Sequence, residues 1–63
     1  MFTLDYEVIA KIRAMRGRKK LTLLEASKEI GISSKTLSLI ENEKRLNVKR
    51  GVYEKIINWL LIN

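Results

Sequence analysis

An all-α fold, a compact bundle of four to five short helices, is what this 63-residue chain predicts. The expectation rests on three observations. The chain holds no proline and few aromatic residues. Its apolar side chains, Leu and Ile above all, recur three and four positions apart, the spacing that lays them along one side of a helix. Between these stretches stand short polar clusters of the residue types that begin and end helices, punctuated by Gly17, Gly31 and Gly51.

The first helix runs from Leu4 or Asp5 to Arg18, with Val8, Ile9, Ile12 and Met15 on its inner side. Asp5 and Glu7 near its start, and Arg13, Arg16, Arg18 and Lys19 near its end, complement the helix dipole. Thr22 is the expected N-cap of the second helix, because Glu25 three residues on completes a capping box. That helix ends at Ile30, where Gly31 suits the left-handed position after the last turn. Ser33 caps the third helix, which turns Leu37 and Ile40 inward and ends at Asn42 or Glu43. Asn47 is read as the cap of the fourth, whose apolar stripe comprises Val48, Val52, Ile56, Trp59 and Leu60. Only two or three residues around Gly31 join the second helix to the third. So short a connection forces a steep crossing, the arrangement of a helix-turn-helix unit.

Length and composition narrow the function classes. Residues 1–63 are expected to form a single domain, near the lower limit for independent folding, with the helix-turn-helix unit at about 22–43. There is no cysteine for a disulfide or thiolate metal site, and no histidine, the usual general base and the commonest metal ligand. Carboxylates are not clustered either, so an enzyme is the least expected class, and neither metal nor cofactor is expected. No apolar run approaches the ~20 residues of a membrane span, and MFTLDYEV lacks the charged-then-apolar layout of a secretion signal. The cytoplasm is the expected compartment. Thirteen Lys and Arg against seven Asp and Glu leave a net charge of +6, a balance that favours a polyanion. A membrane-surface peptide would gather that charge on one long amphipathic helix, whereas here it is spread over several short ones. Nucleic acid is the partner this pattern favours, with no membrane and no small-molecule ligand expected.

LTLLEASKEIGISSKTLSLIENEKR, residues 21–45, resembles the helix-turn-helix of the phage repressor and Cro family, also called the XRE family. The resemblance extends over roughly residues 8 to 60. Its pattern is a threonine cap, a small residue four before a turn glycine, an apolar residue after it, a Ser or Thr cap, then an apolar pair before a glutamate. Thr22, Ser27, Gly31, Ile32, Ser33, Leu37, Ile40 and Glu41 occupy those places. The family also pairs an arginine late in helix one with the glutamate that ends the recognition helix, and Arg16 and Glu41 stand there. A guanidinium can grip a carboxylate with two hydrogen bonds, so such a pair would fix helix one against the end of helix three.

The resemblance implies a sequence-specific regulator of transcription that binds double-stranded DNA, a small Cro-like repressor of a phage or mobile element in the bacterial cytoplasm or nucleoid. Helix 33–42 would enter the major groove, with Ser34, Lys35, Ser38 and Leu39 at the base edges. Thr22, Ser33, Lys28, Asn42, Lys44 and Arg45 would touch phosphates, with Lys19 or Lys20 as outer contacts. The chain ends after the fourth helix, which implies regulation without a ligand-binding domain. Its last residues, IINWLLIN, are apolar, and Trp59, Leu61 and Ile62 cannot all face one way. They form either a partner surface, as in a homodimer on a two-fold operator, or a lid in which Trp59 folds over helix one near Phe2 and Tyr6.

Departures from the pattern are expected to matter locally. Ala26 and Ser27 stand where the family has leucine and alanine, so Leu24 or helix-four residues must supply the missing volume. Lys20 and Glu43 stand at turn positions that are often glycine, so both loops are expected to take other conformations. Leu23 replaces a common glutamine that contacts phosphate. That replacement keeps a second reading open, a protein-interaction module of the same fold that modulates another repressor through Leu23, Leu39 and the C-terminal cluster.

Overall fold

Side-chain caps decide where three of the helices begin. The structure, a computed structural model, describes residues 1–62 in the order β1 (Phe2–Thr3), α1 (Tyr6–Arg18), α2 (Leu23–Ile30), α3 (Ser34–Glu41), β2 (Asn47–Val48) and α4 (Arg50–Ile62). The first N–H groups of a helix lack intrahelical acceptors, and each cap supplies one. Asp5 Oδ1 accepts from the Val8 N–H at 2.8 Å, which makes Asp5 the cap and Tyr6 the first residue of α1. Thr22 Oγ1 accepts from the Glu25 N–H at 3.1 Å while Glu25 Oε1 accepts from the Thr22 N–H at 2.9 Å, closing the capping box of α2. Ser33 Oγ accepts from the Thr36 N–H at 3.1 Å and opens α3. Gly31, at φ 97°, ends α2 in the left-handed region and sends the chain straight into α3.

These starts set the register with which each helix meets one core. Ile9, Ile12 and Met15 of α1, Ala26 and Ile30 of α2, Leu37 and Ile40 of α3 and Ile56 and Trp59 of α4 are buried together, with Leu4 and Val48 closing the cluster. α3 packs on both α1 and α2, and α4 lies against the same two helices. The last turns of the helix-turn-helix are thus braced on two sides.

Three features differ from the sequence expectation, and one alternative within it is decided. Asn47 does not cap α4. It lies in β2, which pairs antiparallel with β1 in the register Phe2↔Val48 and Thr3↔Asn47, and its Oδ1 accepts from Thr3 Oγ1 at 2.8 Å. The adjoining Leu4 N–H donates to Leu46 O at 2.7 Å. Two-residue strands carry no usable alternation, and their partners, Thr3 with Asn47 and Phe2 with Val48, lie far apart in the sequence, so no local pattern announces them. Trp59 does not belong to an exposed partner surface and does not cover Phe2 and Tyr6. It is 3% exposed, and its Nε1–H donates to Glu29 Oε1 at 3.1 Å, tying α4 to α2. Phe2 instead stacks on Tyr53, with ring centroids 5.1 Å apart. Leu24 is exposed and fills no core volume, while α4 supplies Ile56 and Trp59. Finally, Lys20 (φ 56°) and Glu43 (φ 61°) adopt the left-handed conformation that glycine favours, so both loops keep the geometry expected of glycine without the residue.

Two predictions follow from these backbones and clamps. The left-handed region costs a non-glycine residue ~1–2 kcal/mol, against ~0.5–1 kcal/mol of extra unfolded-state entropy for glycine. Lys20→Gly should therefore stabilise the fold by roughly 0.5–1 kcal/mol, while Gly31→Ala should destabilise it by about as much. Urea unfolding that moved both variants in the same direction would contradict the strain. The second concerns Glu29, whose carboxyl is held below its ordinary 4.5 first by the Trp59 indole and then by the Lys19 ammonium. A carboxyl lowered in the folded state stabilises above its unfolded value, and that contribution fades as pH falls through the folded one. The stability gap between the parent and Glu29→Gln should be full near pH 6 and shrink below about pH 4. A gap that stays constant on acidification would rule out the clamp.

Candidate nucleic-acid interface

The end of α3 is locked before any ligand is considered. Arg16, on the last turn of α1, donates from Nε to Glu41 Oε2 at 2.9 Å and from Nη2 to Glu41 Oε1 at 2.8 Å. Its Nη1 donates to Leu21 O at 3.2 Å, which draws the α1–α2 loop into the same contact. Glu41 is only 5% exposed, so its charge depends on this partner. The hydrogen bonds that Arg16 donates to Glu41 raise the Arg16 pKa above its ordinary value against the opposing effect of burial. A raised value for a cation means a contribution fully present below the ordinary guanidinium range, so Arg16 is charged throughout the physiological range. Arg13, one turn earlier on α1, adds a bond from Nη1 to Glu41 O at 3.2 Å and a looser pairing with Glu43 at 3.9 Å.

The outer side of α3 carries the four expected base readers. Ser34 and Ser38 are one turn apart, as are Lys35 and Leu39, so the four share adjoining rows of one helix face. Lys35 is exposed, and the other three are half-buried. The remaining side of α3 is occupied by the buried Leu37, Ile40 and Glu41, which fixes the direction this face must take.

Hydroxyl and amide groups around α3 are already sorted into donors and acceptors. Ser33 Oγ accepts from the Thr36 N–H and its own O–H donates to Thr36 Oγ1 at 2.8 Å. The Ser33 proton is thereby committed inward, and Thr36 becomes the hydroxyl able to donate outward. Asn42 turns back on α3, with Nδ2 donating to Ser38 O at 2.9 Å and reaching Ser38 Oγ at 3.3 Å. The expected phosphate residues Thr22, Lys28, Lys44 and Arg45 are exposed.

Carboxylates are placed so as to leave this side of the molecule cationic. Glu7 pairs with Lys11, Glu29 with Lys19, Glu41 with Arg16, Glu43 with Arg13 and Glu54 with Arg50. Asp5 and Glu25 serve as helix caps. Among the described residues, Arg18, Lys20, Lys28, Lys35, Lys44, Arg45, Lys49 and Lys55 have no acidic partner, and Lys28, Lys35, Lys44, Arg45 and Lys49 of these lie on or beside the α2–α3 unit and the chain leaving it. A cleft of about 370 Å³ beside α3 is lined by Met1, Thr36, Arg45, Asn47, Val48, Lys49 and Val52. Its polar side chains include the Thr36 hydroxyl, the Asn47 amide and two cations, and no carboxylate lines it. Thr36 and Lys49 were not singled out from the sequence. The available signals were the Lys49–Arg50 pair and the position of Thr36 three residues after its cap.

A family model for the XRE-type helix-turn-helix matches residues 12–52, from the middle of α1 into α4 and over more than half of the chain. The chain belongs to the helix-turn-helix family. This is a non-enzymatic family of DNA-binding transcriptional regulators, and the helix-turn-helix protein described here is a DNA-binding transcriptional regulator. No curated protein and no solved structure matches the chain. Among the described residues of this helix-turn-helix protein, no helix is long and apolar enough to cross a membrane.

The lock makes a testable demand. Arg16→Ala leaves Glu41 charged and buried, and should cost about 2–4 kcal/mol, somewhat less than a fully buried pair because Arg16 is partly exposed. The double change Arg16→Ala with Glu41→Leu should recover part of that loss. A double-mutant cycle in chemical denaturation in which the two losses simply add would show that the pair is not coupled.

Proposed function

We propose that this chain is a sequence-specific regulator, a Cro-like repressor of a phage or mobile element. It inserts helix 33–42 into the major groove of duplex DNA, with Ser34, Lys35, Ser38 and Leu39 at the base edges. The observation that carries this reading is the gathering of unpartnered cations around a helix whose rear is locked by Arg16. The lock sets the angle of α3, and the cations supply phosphate contacts on either side of it.

The phosphate-contacting set in this proposal comprises Thr22, Lys28, Lys44 and Arg45, joined by Thr36 and Lys49 in the cleft. Ser33 and Asn42 contribute through the α3 N-terminus and the α3 C-terminal turn, because their own side-chain protons are engaged within the helix. Leu61 and Ile62, 77% and 81% exposed, support association of two copies through the end of α4. Two copies would suit a two-fold operator whose half-sites lie ~34 Å apart. The interaction-module reading drew on Leu23, in place of a polar contact, together with Leu39 and the C-terminal cluster. Leu23 packs against the core instead, which leaves the charged side of the molecule as its dominant surface.

Selection of purified protein on a random duplex pool at two salt concentrations tests the proposal, with a two-fold enriched motif as the expected result. Ser34→Ala with Lys35→Ala should abolish specific binding and leave the helical circular dichroism signal unchanged. Arg45→Ala with Lys49→Ala should weaken binding to all sequences alike and reduce the slope of log K against log salt by roughly 2. Operator affinity that survives the first double change would remove α3 from the reading role.

A further inference from the structure

We infer that α3 reads acceptors: Asn42 turns the Ser38 hydroxyl into a hydrogen-bond donor, and the face it shares with Lys35 selects guanine edges in the operator. The inference rests on the proposal that α3 reads DNA and names what it reads there.

The orientation of the Asn42 amide decides the matter. A backbone carbonyl only accepts hydrogen bonds, so the amide atom 2.9 Å from Ser38 O must be the nitrogen. That same nitrogen lies 3.3 Å from Ser38 Oγ and directs its second N–H there. Ser38 Oγ is therefore an acceptor toward Asn42, and its own O–H is left without an acceptor among the described residues. When the helix is pressed into a groove and water is displaced, a donor left unmet is costly. The hydroxyl must find an acceptor on the base edge.

The neighbouring groups point the same way. Lys35 carries only donors. Leu39 carries no polar atom and can meet a thymine methyl. The carboxylate of α3, Glu41, is buried and held by Arg16, so it is withheld from the groove. A face without a carboxylate has no strong acceptor for the cytosine amino group. Guanine presents two acceptors, N7 and O6, in the major groove, more than any other base there. Ser34 lies one turn before Ser38 and keeps both hydrogen-bonding senses, so discrimination concentrates at Lys35 and Ser38.

The test uses the full chain and its own selected operator. Selection on the random duplex pool should enrich a motif containing guanine, and repeating it with Ser38→Ala should relax the preference at one base pair of each half-site. Replacing the guanine of that pair by 7-deazaguanine, which lacks the N7 acceptor, should weaken the parent protein about tenfold, the size of one base contact. The same replacement should leave Ser38→Ala unaffected. Asn42→Ala, whose folding is checked by circular dichroism, should relax the same base pair as Ser38→Ala and no other. A purely structural role for Asn42 would instead weaken binding to every sequence alike. Three results would overturn the inference while leaving α3 as the reading helix: an enriched motif of A·T pairs alone, a Ser38-dependent pair that is A·T and not G·C, or indifference to 7-deazaguanine. A pool that yields no motif would refute the DNA-reading proposal itself, and this inference with it.

Discussion

The rest of the structure depends on the Arg16–Glu41 contact. It joins the last turn of α1 and the Leu21 carbonyl in the α1–α2 loop, five residues apart, to the end of α3, 25 residues from Arg16. A planar guanidinium can satisfy all of these at once because its donors diverge in fixed directions, which an ammonium group cannot reproduce. The contact is expensive to assemble, since it takes a carboxylate almost wholly out of water. Its value lies in geometry. An eight-residue helix held only by Leu37 and Ile40 could roll about its own axis, and the carboxylate grip removes that freedom.

A second constraint is the distribution of charge. The acidic side chains are spent on caps and on particular cations, and each such pairing lies within a helix or between neighbouring elements. What remains is positive charge, most of it on and after the helix-turn-helix unit, with Arg18 and Lys20 just before it. The net charge of +6 is thus carried by cations without acidic partners, most of them on and after the helix-turn-helix unit. It also explains how a small domain tolerates such a balance. The pairs that matter for packing are neutralised, and the surplus faces water until a polyanion replaces it.

Backbone geometry shows the fold overruling local preference. At Lys20 and Glu43 the chain turns through the left-handed region with side chains that disfavour it. Both residues sit where α1 or α3 must end abruptly so that the next segment can return over the core. Glu43 also keeps its pairing with Arg13, so the strained turn still serves the clamp on α3. Stability is given up locally to hold the angle between helices.

Much of this protein is legible in its residues alone, and the boundary has a physical basis. The caps at Thr22 and Ser33, the glycine turn and the inward stripe of each helix depend on residues close in sequence or on a pattern with fixed spacing, whereas the Arg16–Glu41 pair is implied only by the resemblance to the family. The polar face of α3 follows from the same periodicity. Tertiary structure alone decided the rest. Nothing local pairs Phe2 with Val48, places Trp59 against Glu29, or brings Lys49 beside Thr36, because each contact is set by how the helices are stacked. The polarity of the α3 hydroxyls belongs to the same class. Composition names Ser33, Thr36, Ser38 and Asn42 as groups that can both give and accept hydrogen bonds, and only their folded arrangement decides which proton points out.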